Sequence, residues 1–180
     1  MYGIVNQAIQ GLVTENFGQD SWEKIKKKSN VTDEFFLSDE SYDDAVTYNL
    51  AIAASEVLGI SVEQVLVAFG EYWVLKTGHE RYGSLMKAGG NSLKEFLVNL
   101  PNFHSRVMLM YPKITPPEFQ ITNQSDTSVL VHYYSSRAGL TAFMQGLLQG
   151  LAILYKVEVE IILINDRAKG HDHDVFSVKW

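Results

Sequence analysis

The hydrophobic period of this 180-residue chain first turns from helical to alternating at Pro116-Pro117. Ahead of the two prolines apolar residues recur every three or four positions, the spacing of a helix face; just after them they alternate, the spacing of a strand. Ile4, Val5, Ala8, Ile9, Leu12 and Val13 mark a first helix that Gly18 ends. Asp20 or Ser21 caps a second, which runs through Trp22 and Ile25 into Lys26-Lys27-Lys28, a solvated helix end where lysines suit the dipole. Residues 30–39 read as an ordered loop. Ser41 opens a helix to Leu58, closed by Gly59, and Ser61 with Gln64 makes a capping box for the next, through Leu66, Phe69, Trp73 and Val74. A short helix over 81–88 stops at Gly89-Gly90. Residues 92–100 are helical, and Pro101 ends that run and starts another to about Met110, stopped by Tyr111-Pro112.

Beyond the prolines, 119–122 and 129–135 read as strands joined by a polar turn near Gln124-Ser125-Asp126. Residues 140–155 form an apolar helix carrying Gly146 and Gly150 just after Gly139, and 157–161 and 175–180 close the chain as two more strands. Helices first and an antiparallel sheet with one packed helix second is an α+β arrangement, expected as one domain over 1–180. Composition agrees. Hydrophobic residues are 46% and charged residues 20%, which excludes disorder. No apolar run reaches the ~20 residues of a membrane span, and the start lacks the basic and apolar regions of a signal peptide, so a cytoplasmic protein is expected. Zero cysteines exclude disulfides, thiolate metal sites and cysteine nucleophiles. A net charge of −6 argues against a nucleic-acid binder.

One histidine interrupts an apolar helix face. Leu97, Leu100, His104, Val107, Met108 and Tyr111 fall together at offsets of three, four and seven, so the imidazole points inward. Two readings are open: a core histidine satisfied by a hydrogen bond, or a ligand to a metal or cofactor. A lone imidazole holds no bare metal ion tightly, so the ligand reading requires a large apolar pocket. A haem iron needs only one protein ligand, because the porphyrin supplies four nitrogens.

A second cluster lies on the strand near 133. Val129, Val131, Tyr133, Ser135 and Arg137 alternate onto one face, apolar at first and ending in two hydroxyls and a guanidinium. Arginine is the preferred bidentate partner of a carboxylate. The competing reading is a surface edge strand with an incidental arginine; Val129 and Val131 on the same side favour an inward face. His171-Asp172-His173-Asp174 invites a metal reading, but it follows Lys169-Gly170 and reads as a solvated turn. Asp39-Glu40 and Asp43-Asp44 sit at a helix start, where acids favour the dipole. No Gly-rich phosphate loop and no Gly-x-Ser-x-Gly elbow occurs, so nothing supports catalysis.

His104 together with Tyr133-x-Ser135-x-Arg137 resembles the haem nitric-oxide/oxygen-binding (H-NOX) family, the sensor module also found in soluble guanylate cyclases. The resemblance covers essentially the whole chain: Met1-Tyr2-Gly3-Ile4-Val5-Asn6, Phe69-Gly70-Glu71-Tyr72-Trp73, Leu100-Pro101-Asn102-Phe103-His104, Ile114-Thr115-Pro116-Pro117 and Gly170-His171-Asp172-His173-Asp174 match in place. It implies a haem b between the helical half and the sheet. By the same resemblance His104 is the iron ligand, Tyr133, Ser135 and Arg137 hold the propionates, and Pro117 presses on the porphyrin. Ile4, Ala8, Trp73 and Ala142 are the matching distal positions, and the Gly-punctuated helix is a wall that approaches the flat cofactor. Relatives that bind zinc near the C-terminal run use cysteines, so no second metal is expected.

The function implied is a non-enzymatic gas sensor for nitric oxide and carbon monoxide. Its output passes to a separate partner, a histidine kinase or a cyclic-dinucleotide enzyme. The alternatives are an oxygen-binding haem protein of the same fold and a haem-free interaction domain. Oxygen-binding members carry a Tyr nine positions after the motif Tyr, where this chain has Ala142.

Overall fold

The computed structural model describes residues 1–110 and 115–180, so the helix stop read at Tyr111-Pro112 and the motif residue Ile114 lie outside the described residues. The helical half comprises α1 (Gly3–Phe17), α2 (Gln19–Ser29), α3 (Asp44–Leu58), α4 (Val62–Tyr72), α5 (His79–Gly89) and α6 (Leu93–Met110). Local chemistry sets several of these ends. The Ser61–Gln64 capping box forms as read. Asp43, not Ser41, caps α3, accepting from the Ala45 N–H at 2.8 Å, while Ser41 pairs with Tyr2 in an isolated bridge.

Two helix boundaries differ from the sequence reading. A π-helical stretch, Trp73–Gly78, joins α4 to α5 where a gap is expected. α6 runs unbroken through Pro101. The proline forfeits one ladder bond, yet the helix continues because both halves have something to cover: Leu93, Phe96, Leu97 and Leu100 are buried ahead of it, and Phe103, His104 and Val107 line a cavity behind it.

The sheet is fully antiparallel in the order β1-β2-β4-β3, with β1 (Glu118–Thr122), β2 (Ser128–Tyr134), β3 (Glu160–Asn165) and β4 (Asp174–Lys179). The molecule is α+β. Val129, Val131 and Tyr133 are the buried face of β2, as their alternation requires. The third strand starts later than expected. Lys156, at φ 57°, closes α7 (Thr141–Tyr155), its N–H bonding to Ile153 O and the Val157 N–H to Ala152 O. That Schellman pattern uses the backbone of Val157, which cannot then pair in a strand.

α7 packs closely across α4. A Cβ on Gly146 would run into the carbonyl of Val67, and one on Gly70 into the backbone of Phe143 and Leu147. Ala142, Gly146 and Gly150 are spaced by four and form one stripe on that side. The glycines expected to face a flat cofactor therefore face α4. Two hydrophobic clusters result, one among α1–α4 and one joining α6, α7 and the sheet, and Val5 and Trp73 touch both. Among the described residues no single helix is long and apolar enough to cross a membrane.

Candidate functional site

Between the two clusters lies an apolar cavity of about 270 Å³. Every layer contributes to its wall: Ile4 from α1, Trp73 from the π segment, His104 from α6, Pro117 ahead of β1, Tyr133 from β2 and Leu147 from α7. The residues singled out from the sequence come together here, since Ser135 and Arg137 also line it.

Ala142 does not. It sits on the small-residue stripe that meets α4 and packs with the helical cluster. Gly146 fixes this rotation of α7, because only the glycine side can approach the Val67 carbonyl. Phe143, Met144, Leu147 and Leu151 supply the wall instead.

His104 stands beside Phe119, ring centroids 4.7 Å apart, and edge-on to Phe103 at 6.1 Å. Its remaining exposure is towards the cavity. Burial pushes its pKa down to about 4, so the ring is neutral at pH 7 and keeps a nitrogen lone pair. Among the described residues no hydrogen bond reaches either ring nitrogen.

The polar end of the cavity is built on loop 135–140. Ser135 Oγ accepts the Arg137 N–H at 3.1 Å. The Arg137 guanidinium donates from Nε to Asp44 Oδ2 at 2.7 Å and from Nη1 to the Thr115 carbonyl at 2.8 Å. Asp44 also accepts from the Met1 ammonium at 2.5 Å. Burial pushes the Asp44 carboxyl upward, but hydrogen bonds from that ammonium and from Arg137 outweigh it and hold the pKa below the ordinary 3.8. Tyr133 is nearly buried, and that burial raises its hydroxyl pKa.

Two features of this end escape sequence reasoning. Asp44 reads locally as a helix-start acid, and nothing in its neighbourhood announces a partner 93 residues away. Tyr48, one turn along α3, lines the cavity and donates to the Ala138 carbonyl at 2.8 Å.

The C-terminal run is only partly the solvated turn expected. His171 and Asp172 are exposed, but His173 stacks on Tyr134 at 3.9 Å, and its Nε2 lies 2.8 Å from His132 Nδ1. Asp174 is 3% exposed and accepts from Thr141 Oγ1 and the Arg167 N–H, each at 2.7 Å. No group of three metal-ligating side chains occurs among the described residues.

The sequence profile of the Haem-NO-binding family matches residues 2–163. The chain belongs to that family, the H-NOX domains. Soluble guanylate cyclase gcy-35 of Caenorhabditis elegans is 30% identical over 192 residues, covering 99% of this chain and 27% of the relative. Soluble guanylate cyclase gcy-31 of the same animal is 27% identical over 166 residues, covering 92% and 24%. The chain thus spans about a quarter of the length of these curated relatives. An H-NOX protein from S. oneidensis in the Fe(II)NO ligation state superposes with a TM-score of 0.89 at 18% identity, over 99% of this chain and 98% of that one. An unliganded Fe(II) H-NOX protein from K. algicida does so with 0.85 at 24%, over 99% and 96%.

H-NOX domains bind haem b, and the donors of this cavity suit that group. A neutral imidazole with no hydrogen-bond partner among the described residues lines an apolar space walled by both the helical half and the sheet, and a guanidinium with two hydroxyl residues stands at its rim. Those are the groups that an iron, a hydrophobic macrocycle and two carboxylates call for.

Proposed function

We propose that this H-NOX domain is a cytoplasmic sensor of nitric oxide that holds its haem iron through His104. The observation that carries the reading is the state of that imidazole: largely desolvated, neutral, without a hydrogen bond among the described residues, and part of the wall of an apolar cavity. A core histidine without a function is expected to be hydrogen-bonded, because an unsatisfied buried polar group costs about 1–3 kcal/mol.

When bound, the haem iron supplies a coordination position for a diatomic gas. The chain's own residues do the rest. His104 would hold the iron from α6, and Arg137, Tyr133 and Ser135 would orient the propionates. Pro117, Ile4, Trp73 and Leu147 would keep water away from the group. A gas that loosened the hold of His104 would leave α6 to relax against the sheet, by no more than that ligand's preference between the two arrangements. Nitric oxide is the ligand proposed to do so, and carbon monoxide is the second gas the site would take. The signal passes to a separate protein, a histidine kinase or a cyclic-dinucleotide enzyme. The guanylate cyclase relatives and the Fe(II)NO state of the S. oneidensis neighbour support this reading.

The test is His104→Gly. The purified wild type should show an intense Soret band. The variant should retain haem only when imidazole is supplied, and it should abolish the response of a partner enzyme to nitric oxide. Unchanged haem content and ferrous spectrum in the variant would sink the assignment.

A further inference from the structure

We infer that Arg167, a residue outside the cavity, is a positioning residue for the haem carboxylates, acting through the backbone of loop 135–140. The inference rests on the haem reading above and adds to it a group that never touches the cofactor.

Loop 135–140 carries Ser135 and Arg137 but has neither helix nor ladder to hold it. Its shape is set by side chains reaching in from elsewhere. Arg167, in the 3-10 turn Arg167–Lys169 between β3 and β4, donates from Nη1 to the Ser135 carbonyl at 2.5 Å and to the Arg137 carbonyl at 3.4 Å. From α3 comes the Tyr48 hydroxyl on the Ala138 carbonyl. Two of the three residues whose side chains are assigned to the propionates, Ser135 and Arg137, therefore have their own carbonyls held by one guanidinium.

The turn that bears that guanidinium is itself anchored through its backbone. The Arg167 backbone N–H donates to Asp174 Oδ1, and the other oxygen of that buried carboxylate accepts from Thr141 Oγ1, at the first residue of α7. Asp166 caps the turn through the Ala168 N–H at 2.9 Å. One buried carboxylate thus ties the start of α7 to the turn bearing Arg167, and Arg167 ties that turn to the loop between β2 and α7. A bidentate clamp is effective only where its donors stand ready before the ligand arrives. Arg167 provides that readiness without lining the cavity.

Haem dissociation distinguishes positioning from plain stability. Arg167→Ala should speed haem loss about three- to tenfold, the range for one or two exposed hydrogen bonds. Arg167→Lys, which keeps one charged donor, should restore most of the wild-type rate, and Lys169→Ala should leave it unchanged. Both arms are repeated with haem dimethyl ester, whose carboxylates are blocked, and in an Arg137→Ala background. With the ester the Arg167→Ala effect should vanish, and without Arg137 it should shrink, since only Ser135 then remains on the loop to be positioned. Equal acceleration with free and esterified haem, undiminished acceleration without Arg137, or no acceleration at all would overturn the proposal. Failure of the haem reading is distinguishable, because the wild type itself would then hold no haem.

Discussion

Arg137 and Asp44 are joined by a 2.7 Å bond from the guanidinium Nε–H to a carboxylate oxygen, and the same carboxylate receives the Met1 ammonium. One side chain on the first turn of α3 thereby ties the N-terminus, the helical half and the loop after β2 around the cavity rim. Arg137 is held in a fixed direction before any propionate reaches it.

Asp44→Asn should therefore lower stability in a pH-dependent way. The Asp44 pKa is depressed in the folded protein, so its contribution is complete above the ordinary value of 3.8 and is lost as pH falls through the lower folded-state value. Asp44 is 37% exposed, which limits the contribution to about 1 kcal/mol, a drop of roughly 2–4 °C in Tm. Thermal melts at pH 7 should show that drop, and melts at successively lower pH below 3.8 should bring the two proteins progressively together. A difference independent of pH would argue that the ion pair contributes nothing.

Haem retention should depend on Arg137 far more than on a remote cation. Each charge-assisted bond to a propionate is worth roughly 1.5–3 kcal/mol, so Arg137→Ala should accelerate haem loss by about tenfold or more. Lys156→Ala, at the exposed end of α7, should leave the rate near that of wild type. Transfer of haem to an excess of apomyoglobin gives both rates directly, and equal rates would count against the clamp.

How far the site is legible in the sequence depends on which residues define it. His104 and Tyr133 announce themselves because local periodicity decides where each points, one on a helix face and one on a strand face, while Ser135 and Arg137 carry the alternation on into loop 135–140, beyond the end of β2. Asp44 and Arg167 act across long separations, and neither belongs to a local pattern. Ala142 shows another limit. Counting nine positions from Tyr133 finds the residue, but the rotation of α7 is decided by the close approach of Gly146 to α4. The fold follows the same division. The change of period at Pro116-Pro117 separates helices from sheet correctly. Pro101 and Val157 mislead because tertiary burial keeps α6 intact and a Schellman turn delays β3.

Gly146→Ala tests that packing. The added methyl would meet the Val67 carbonyl in a helix crossing with no room to give. Overpacking of a fitted core costs typically 1–3 kcal/mol, so the Tm should fall by about 3–10 °C. Gly139→Ala, which meets nothing within contact distance but sits at φ 74°, should cost less, about 1 kcal/mol of backbone strain. A Gly146→Ala protein as stable as wild type would mean that α7 and α4 cross less closely.

The ferrous protein should bind nitric oxide and carbon monoxide but form no stable oxygen complex. Bound oxygen carries partial negative charge and is retained by a hydrogen-bond donor beside it, whereas the other two gases need little such help. The side chains α7 gives to the cavity beyond Leu140 are Phe143, Met144, Leu147 and Leu151, none of which has a proton to donate. Thr47 lines the cavity, but its hydroxyl is given to Asn6 Oδ1 at 2.7 Å, and Tyr48 gives its proton to Ala138. Tyr2 and Tyr82 are engaged in interactions of their own. Among the described residues the distal donor left to consider is the indole of Trp73, which packs edge-on to Phe69 at 6.2 Å and fills space between the two hydrophobic clusters. Mixing the ferrous protein with air and recording the visible spectrum decides the matter. A stable oxy spectrum would refute the prediction, and its loss in Trp73→Phe would then assign the donor to the indole.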